Sequence, residues 1–152
     1  MLRLFLALAV LALTYQFVPR GLAIGDADSG KVYLRRPLQK GETFAIEFIH
    51  SVNNSPVRET FTADQGRIRP VSSRFASFGA GIQSDLAEGQ TLSREGGFLV
   101  ISGFQTSYKE LLYIVGTVSD HILYLRDERI SLRDLCGRNA HIRIWTHKGI
   151  FL

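Results

Sequence analysis

The chain has 152 residues, of which 45% are hydrophobic and 21% are charged, and it contains four prolines. This length suits one compact domain, and the apolar content excludes a disordered or low-complexity chain, because enough apolar surface is available to offset the entropy of ordering. The formal net charge is +4, but the basic residues are scattered among acidic ones. We therefore expect no nucleic-acid partner, since proteins that bind nucleic acids concentrate their basic residues in a stripe.

The N terminus combines one basic residue with an uninterrupted apolar run. Arg3 precedes the apolar residues 4–13. This run has the length of the hydrophobic region of a secretory signal, and it is shorter than the roughly 20 residues of a relaxed membrane span. The pattern therefore predicts export, with the rest of the chain in the periplasm.

Two interpretations of this leading segment remain. Residues 21–23 place small side chains where a signal peptidase cuts, so cleavage after Ala23 is one interpretation. The other is an uncleaved signal-anchor helix that keeps its basic end on the cytoplasmic side of the inner membrane. Either way, we divide the chain into residues 1–23, a signal peptide or signal-anchor, and residues 24–152, a single exported domain.

From residue 31 onward, short runs rich in β-branched and aromatic residues alternate with turn residues, as strands do. The predicted strands span residues 31–38, 43–51, 57–63, 67–78, 97–101, 111–118, 121–126 and 141–147. Short helical turns are predicted at 85–88 and at 131–135, the second with Ser131 as its N-cap. The pattern predicts an all-β, mostly antiparallel fold, a sandwich or a partly open barrel, behind the N-terminal hydrophobic helix.

The most informative segment is a predicted hairpin with two ionisable residues on its apolar face. Because alternate residues of a strand share a face, His50 lies on the apolar side of the first strand and Glu59 on that of the second. A four-residue loop at 53–56 pairs Val52 with Val57 and sets His50 directly opposite Glu59. Side chains in that position are close enough to form a hydrogen bond, so we predict an inward-facing His50–Glu59 pair.

The predicted pair has a structural and a functional interpretation. A buried carboxylate is costly unless it is paired or neutral, so the pair can simply hold the register of the hairpin. Alternatively, His50, Glu59 and Ser51 line a ligand pocket at the mouth of the sheet, with a contribution from the loop that contains Gly79 and Gly81. Ser51 lies on the opposite face from His50, so a catalytic Ser–His pair is not expected there.

Other residues that carry chemistry give weaker signals. Cys136 has no second cysteine to pair with and is expected to be a small packing residue. The four histidines lack the close spacing of metal ligands, so we predict neither a metal site nor a cofactor. Tyr108, Tyr113, Tyr124 and Trp145 could form a binding wall, although aromatic residues in strands mostly pack in the core.

Residues 48–52 (FIHSV) and 56–61 (PVRETF) resemble the core of a bacterial family of small exported proteins known as a domain of unknown function, and residues 79–81 and 132–145 are similar to it as well. Members of that family are often encoded beside TRAP-type, TAXI-class solute transporters. The resemblance implies a transport-accessory role, with a TRAP-type permease or its solute receptor as partner. It carries no enzymatic activity over to this chain, because the family has none assigned. We therefore expect a binding or accessory module; the alternatives are a small envelope hydrolase and a structural envelope protein without a ligand.

Overall fold

The computed structural model describes residues 20–52, 54–78 and 85–148, without the side chains of Arg20 and Lys148. In these ranges the chain forms two antiparallel sheets and one short helix. The elements are β1 (Arg20–Asp26), β2 (Val32–Pro37), β3 (Thr43–His50), β4 (Ser55–Asp64), β5 (Arg67–Phe75), β6 (Thr91–Glu95), β7 (Phe98–Ser102), β8 (Glu110–Ile114), β9 (His121–Leu125), β10 (Glu128–Ser131), α1 (Leu132–Cys136) and β11 (His141–Lys148).

The two sheets differ in width and pack face to face. The smaller sheet has the strand order β2-β1-β11-β8, and the larger has the order β10-β9-β3-β4-β5-β7-β6. Ile24 and Ile144 of the smaller sheet share one buried cluster with Phe44, Ile46 and Leu123 of the larger sheet. The predicted antiparallel all-β fold is therefore confirmed, and it takes the form of a sandwich.

Alternation along β3 shows why these residues form a half-buried strand. Phe44 and Ile46 are buried between the sheets. Glu47 lies between them and Phe48 in sequence but points to the other face, where its carboxylate is 3.6 Å from the guanidinium of Arg58 on β4. A period of two in hydrophobicity places one apolar face against the core and one polar face towards water.

Eight of the strands were predicted from the sequence, with shifted ends, and three were not. β6 was missed because all five of its side chains are exposed, so it has no apolar alternation. β10 was missed because it has only four residues. The helical turn predicted at 85–88 is wrong, since Asp85 lies in a bend, Glu88 lies in a turn and none of the four residues is helical. The other predicted turn is α1, where the Ser131 hydroxyl accepts a hydrogen bond of 2.9 Å from the Asp134 amide.

β1 was missed because its small apolar residues follow the apolar leading segment, and residues up to Ala23 were assigned to that segment. It pairs with both β2 and β11, and Leu22 and Ala23 are 1% and 0% exposed. The boundary predicted after Ala23 therefore falls inside a strand of the folded domain. The hydrophobic helix predicted before it lies outside the described residues, and within them no helix is long and apolar enough to cross a bilayer.

The difference in width leaves part of the larger sheet uncovered. At one end the sheets are tied by Arg36 of β2 and Glu128 of β10, whose Nε and Oε2 atoms are 2.9 Å apart. At the other end the smaller sheet stops at β8, which lies over β5, while the larger sheet continues into β7 and β6. The loop from β7 to β8 crosses between the sheets and forms two main-chain hydrogen bonds of 2.8 Å between Tyr108 and Ile68.

Candidate functional site

A cavity of about 540 Å³ lies between the inner face of the larger sheet and β8, where the smaller sheet ends. Its walls come from β3, β4, β5, β7 and β8, and from the loop that joins β7 to β8. This volume falls within the range of sites that bind small molecules. The unequal width of the two sheets is thus the direct cause of the cavity.

The cavity has an apolar floor and aromatic walls. Val57, Phe75 and Ile101 form a second buried cluster beneath it. Rings contributed by all of its walls except β7 line the space, namely those of Phe48, Phe61, Phe75, Phe104, Tyr108 and Tyr113. Tyr108 and Tyr113 thus belong to a wall, as the sequence suggested. Tyr124 and Trp145 do not, because they lie on the outer faces of their sheets.

A hydrogen bond across the gap between the sheets is the main polar feature of the cavity. The hydroxyl of Tyr113 on β8 donates to Oε2 of Glu59 on β4 over 2.7 Å. Burial, followed by the nearby carboxylate charge, raises the pKa of Tyr113 above its ordinary value. The phenol therefore stays protonated and acts as a permanent hydrogen-bond donor to Glu59.

His121 packs against two residues of the cavity wall, Phe48 and Tyr113. Its ring stacks on Phe48 with centroids 5.0 Å apart and meets Tyr113 edge-on at 5.8 Å. The main-chain amide of Gly116 donates to its Nδ1 over 3.2 Å, so a neutral ring carries its proton on Nε2. Burial lowers the pKa of His121, although Asp120 acts in the opposite direction. The imidazole is therefore a neutral packing surface for two residues of the cavity wall.

The predicted contact between His50 and Glu59 is wrong. In the structure His50 lies opposite Ser55, and Glu59 lies opposite Ile46. Since Glu59 is four residues beyond Ser55, the two side chains are separated by roughly 14 Å along the strand direction.

The turn explains the error. The loop between β3 and β4 spans residues 51–54 and not 53–56, and Asn54 adopts a left-handed conformation with φ of 48°, which asparagine tolerates. Pro56 enters the strand before the pairing of β4 with β5 begins at Val57, so its missing N–H breaks no hydrogen bond of that ladder. The loop therefore closes two residues earlier than predicted, and the shift preserves which face each side chain occupies.

The structure nevertheless brings His50 and Glu59 to the same cavity. Both line it, His50 from the turn end of β3 and Glu59 from the middle of β4. Nδ1 of His50 accepts a hydrogen bond of 3.3 Å from the Val52 amide. Ser51 is exposed in the turn and does not line the cavity. Gly79 and Gly81 lie outside the described residues.

Sequence reasoning missed the partner of Glu59. The alternation of β8 was sufficient to place Leu111 and Tyr113 on one inner face. The contact itself joins residues on different sheets that are 54 positions apart, and no local pattern indicates it.

The lining of the cavity carries negative charge. It contains two carboxylates, those of Glu59 and Glu110, and among the described lining residues there is no Lys or Arg. Glu110 Oε2 is 3.9 Å from Nη1 of Arg143, whereas no ion pair of Glu59 occurs in the described ranges. In those same ranges no group of three His, Cys, Asp or Glu side chains is arranged to hold a metal ion.

The model of a family described as a domain of unknown function (DUF1850) matches residues 44–132. The chain belongs to this family. The match runs from the second residue of β3 to the first residue of α1, so it includes all of the larger sheet except Thr43, together with β8 and every lining residue of the cavity. It leaves out β1, β2 and β11 of the smaller sheet. No curated protein and no solved structure matches the chain.

Proposed function

We propose that this protein is an exported binding module whose cavity holds a small molecule with an apolar body and one polar group. The observation that carries the proposal is a cavity of about 540 Å³ that has aromatic walls and a hydrogen-bonded carboxylate, Glu59, inside it. Apolar walls with a few fixed polar groups are the usual composition of ligand sites.

Packing energetics support this interpretation over a purely structural role. Protein interiors are close-packed, and each unfilled volume between the sheets sacrifices dispersion contacts. A carboxylate beside such a volume adds a desolvation cost that an apolar residue at position 59 avoids. Both features lower stability, so their presence in one place favours a ligand that fills the space and contacts Glu59.

The geometry favours binding over hydrolysis. A hydrolase of the Ser–His type needs a nucleophile hydrogen-bonded to a histidine. At His50 and His121, Nδ1 accepts a hydrogen bond from a main-chain amide. In the neutral ring the proton is then on Nε2, so neither nitrogen is free to accept a proton from a nucleophile. Ser51, which follows His50 in sequence, lies outside the cavity.

We further propose that the module acts in the periplasm as an accessory to a TRAP-type transporter, through its permease or its solute receptor. The support is the resemblance of residues 48–61 to a family often encoded beside such transporters, together with the signal-like apolar run at 4–13. In this proposal the cavity senses or presents a small molecule at the outer face of the inner membrane.

The binding proposal is tested with p-cresol, a probe with one apolar ring and one hydroxyl group. We expect p-cresol to shift the NMR amide signals of residues that line the cavity. Ser73 faces the inside of the larger sheet between Glu59 and Ile101, so Ser73→Leu should occupy the space and abolish these shifts. Ser93→Leu makes the same change at an exposed position of β6 and should leave them intact. Absence of cavity shifts in the unaltered protein would overturn the proposal.

The transport proposal needs a separate experiment. The tagged protein, captured from solubilised membranes of its own host, should recover a TRAP-type permease or solute receptor, identified by mass spectrometry. A parallel capture with the Ser73→Leu variant tests whether the cavity takes part. Recovery of no transporter component would reject the accessory role and leave the binding proposal standing.

A further inference from the structure

We propose that the ligand of this cavity is an organic cation, a protonated amine on an apolar body, which pairs with Glu59 and sits against the aromatic walls. This inference rests on the proposed binding function and names the chemical class of the ligand. It follows from the charge of the lining, from the partner of Glu59, from the rings around it and from the size of the space.

The charge of the lining is opposite in sign to that of the molecule. The whole chain has a formal charge of +4, with 18 Lys and Arg residues. None of these is among the described lining residues, whereas Glu59 and Glu110 are. Glu110 has Arg143 nearby at 3.9 Å, which leaves Glu59 as the carboxylate whose charge the described part of the chain does not balance.

The hydrogen bond from Tyr113 positions the Glu59 carboxylate without neutralising it. A protonated phenol satisfies one acceptor site of the carboxylate, at Oε2, and carries no charge of its own. A partly buried anion is stable when a cation is paired with it and further donors complete its hydrogen bonds. An ammonium group supplies both the missing charge and additional donors, so the site is half of an ion pair whose other half belongs to the ligand.

The walls favour a cation over a neutral or anionic group. Phe48, Phe61 and Phe75 present rings to the same space as Glu59. The faces of aromatic rings attract cations, and this attraction grows when the site excludes water. A ligand carboxylate beside Glu59 would meet a charge of the same sign, and the described lining residues include no Lys or Arg to pair with it.

The volume limits the size of the apolar body. A dry cavity of roughly 150 Å³ accommodates benzene. The space here, at about 540 Å³, is large enough for one or two rings or a chain of comparable bulk with its amine at Glu59. Simple arylalkyl amines, which are protonated at neutral pH, are therefore suitable probes.

The experiment compares three probes of similar shape with the purified full-length protein at neutral pH: phenethylamine, 2-phenylethanol and 3-phenylpropanoate. Calorimetry or NMR titration gives each dissociation constant. We expect the amine to bind at least about tenfold more tightly than the alcohol, and the carboxylate to bind most weakly, because only the amine can pair with Glu59.

Two near-isosteric variants test whether Glu59 causes the preference for the amine over the alcohol. Glu59→Gln should reduce the amine-to-alcohol preference to about onefold. Glu47→Gln is the matched control, since Glu47 also accepts a hydrogen bond from a tyrosine, Tyr124 at 3.1 Å, but on the outer face of the sheet; its preference should equal that of the unaltered protein. If Glu59→Gln fails to fold, the order of the three probes on the unaltered protein decides.

The outcomes separate this inference from the proposed function. Equal binding of amine and alcohol, or a preference that survives Glu59→Gln, would overturn the cationic ligand while leaving a binding cavity in place. Failure of all three probes to bind, when p-cresol does bind, would have the same meaning. Failure of the three probes and of p-cresol would overturn both proposals.

Discussion

At the scale of single residues, the hydroxyl of Tyr113 supports the carboxylate inside the cavity. Tyr113→Phe removes the 2.7 Å hydrogen bond and leaves Oε2 of Glu59 without its donor. Glu59 is only partly buried, so loss of this hydrogen bond costs about 0.5–1.5 kcal/mol. We therefore expect the variant to lower the free energy of unfolding by about this amount, measured by urea denaturation monitored by circular dichroism.

Tyr124→Phe is the control for this prediction. Tyr124 also donates to a glutamate, Glu47 at 3.1 Å, but this pair lies on the outer face, where Arg58 is 3.6 Å from the same carboxylate. Water and Arg58 can replace the lost donor, so the loss should be smaller than for Tyr113→Phe. Equal losses in the two variants would show that the cavity does not isolate Glu59 from solvent.

The second prediction at this scale concerns pH. Burial lowers the pKa of His121 below its ordinary value of 6.5, so between the two values the unfolded chain binds more protons than the folded one. The contribution of His121 to stability is therefore complete above about pH 6.5 and is lost as the pH falls through its folded pKa. We expect the urea concentration at the midpoint of unfolding to decrease when the pH is lowered from 7.5 to 5.5.

A neutral substitution isolates the part of this pH dependence that belongs to His121. His121→Gln removes the titrating group and keeps an acceptor for the Gly116 amide. The midpoint of the variant should change less with pH than that of the unaltered protein. Asp120, which raises the pKa of His121, is retained in both proteins. Identical pH profiles would contradict the prediction.

At the scale of elements, β1 places residues 20–23 inside the smaller sheet. It lies between β2 and β11, and Leu22 is 1% exposed. Loss of a buried leucine side chain alone costs about 2–5 kcal/mol. We expect a chain that begins at Arg20 to unfold at a clearly higher urea concentration than one that begins at Ile24. Under the proposed export, mass spectrometry of the mature protein should find residues 20–23 retained. Equal urea midpoints would show that these four residues are dispensable.

β8 is an edge strand with a single charged residue, Glu110, at its first position. The edge strands β2, β6 and β10 each carry arginine, and β2 also ends with a proline, whereas β8 exposes Leu112 and Ile114. Charged and proline residues on an edge discourage pairing between molecules. Ile114 is 59% exposed, so Ile114→Lys should change the free energy of unfolding by no more than about 0.5 kcal/mol. We also expect β8 to pair with a second molecule at high protein concentration, so Ile114→Lys should reduce self-association in sedimentation experiments. Unchanged association would contradict a contact through β8.

At the scale of the whole molecule, the cavity results from a mismatch between two sheets. Four strands cannot cover seven, so the inner faces of β5 and β7 are partly open beyond β8. The loop from β7 to β8 closes one side of that opening through Tyr108. The cavity is therefore a property of the strand order and not of any single motif.

Hydrophobic periodicity was enough to predict much of the fold. It indicated eight of the strands and the inward orientation of both His50 and Glu59. The helical turn after Ser131 was indicated by its N-cap residue. These properties depend on neighbours one to four residues apart, which a sequence displays directly. Strands without an apolar face, such as β6, gave no such signal.

The register of the hairpin could not be predicted from hydrophobic alternation. Four-residue loops at 51–54 and at 53–56 place the same side chains on the same face, so hydrophobic alternation cannot distinguish them. The structure selects the first, in which Val57 pairs with Phe48 on one side and with Phe75 on the other. That choice separates His50 from Glu59 along the strand.

The sequence by itself determined the antiparallel β-architecture and which side chains face inward, because both follow from the two-residue period of a strand. Only the tertiary structure decided that Glu59 accepts a hydrogen bond from Tyr113, that the ring of His121 packs against Tyr113 and that a cavity adjoins these residues. These contacts join separate strands, and in the case of Glu59 and Tyr113 separate sheets. Their positions depend on turn closure, on strand order and on the unequal width of the two sheets, which emerge only when the whole chain packs.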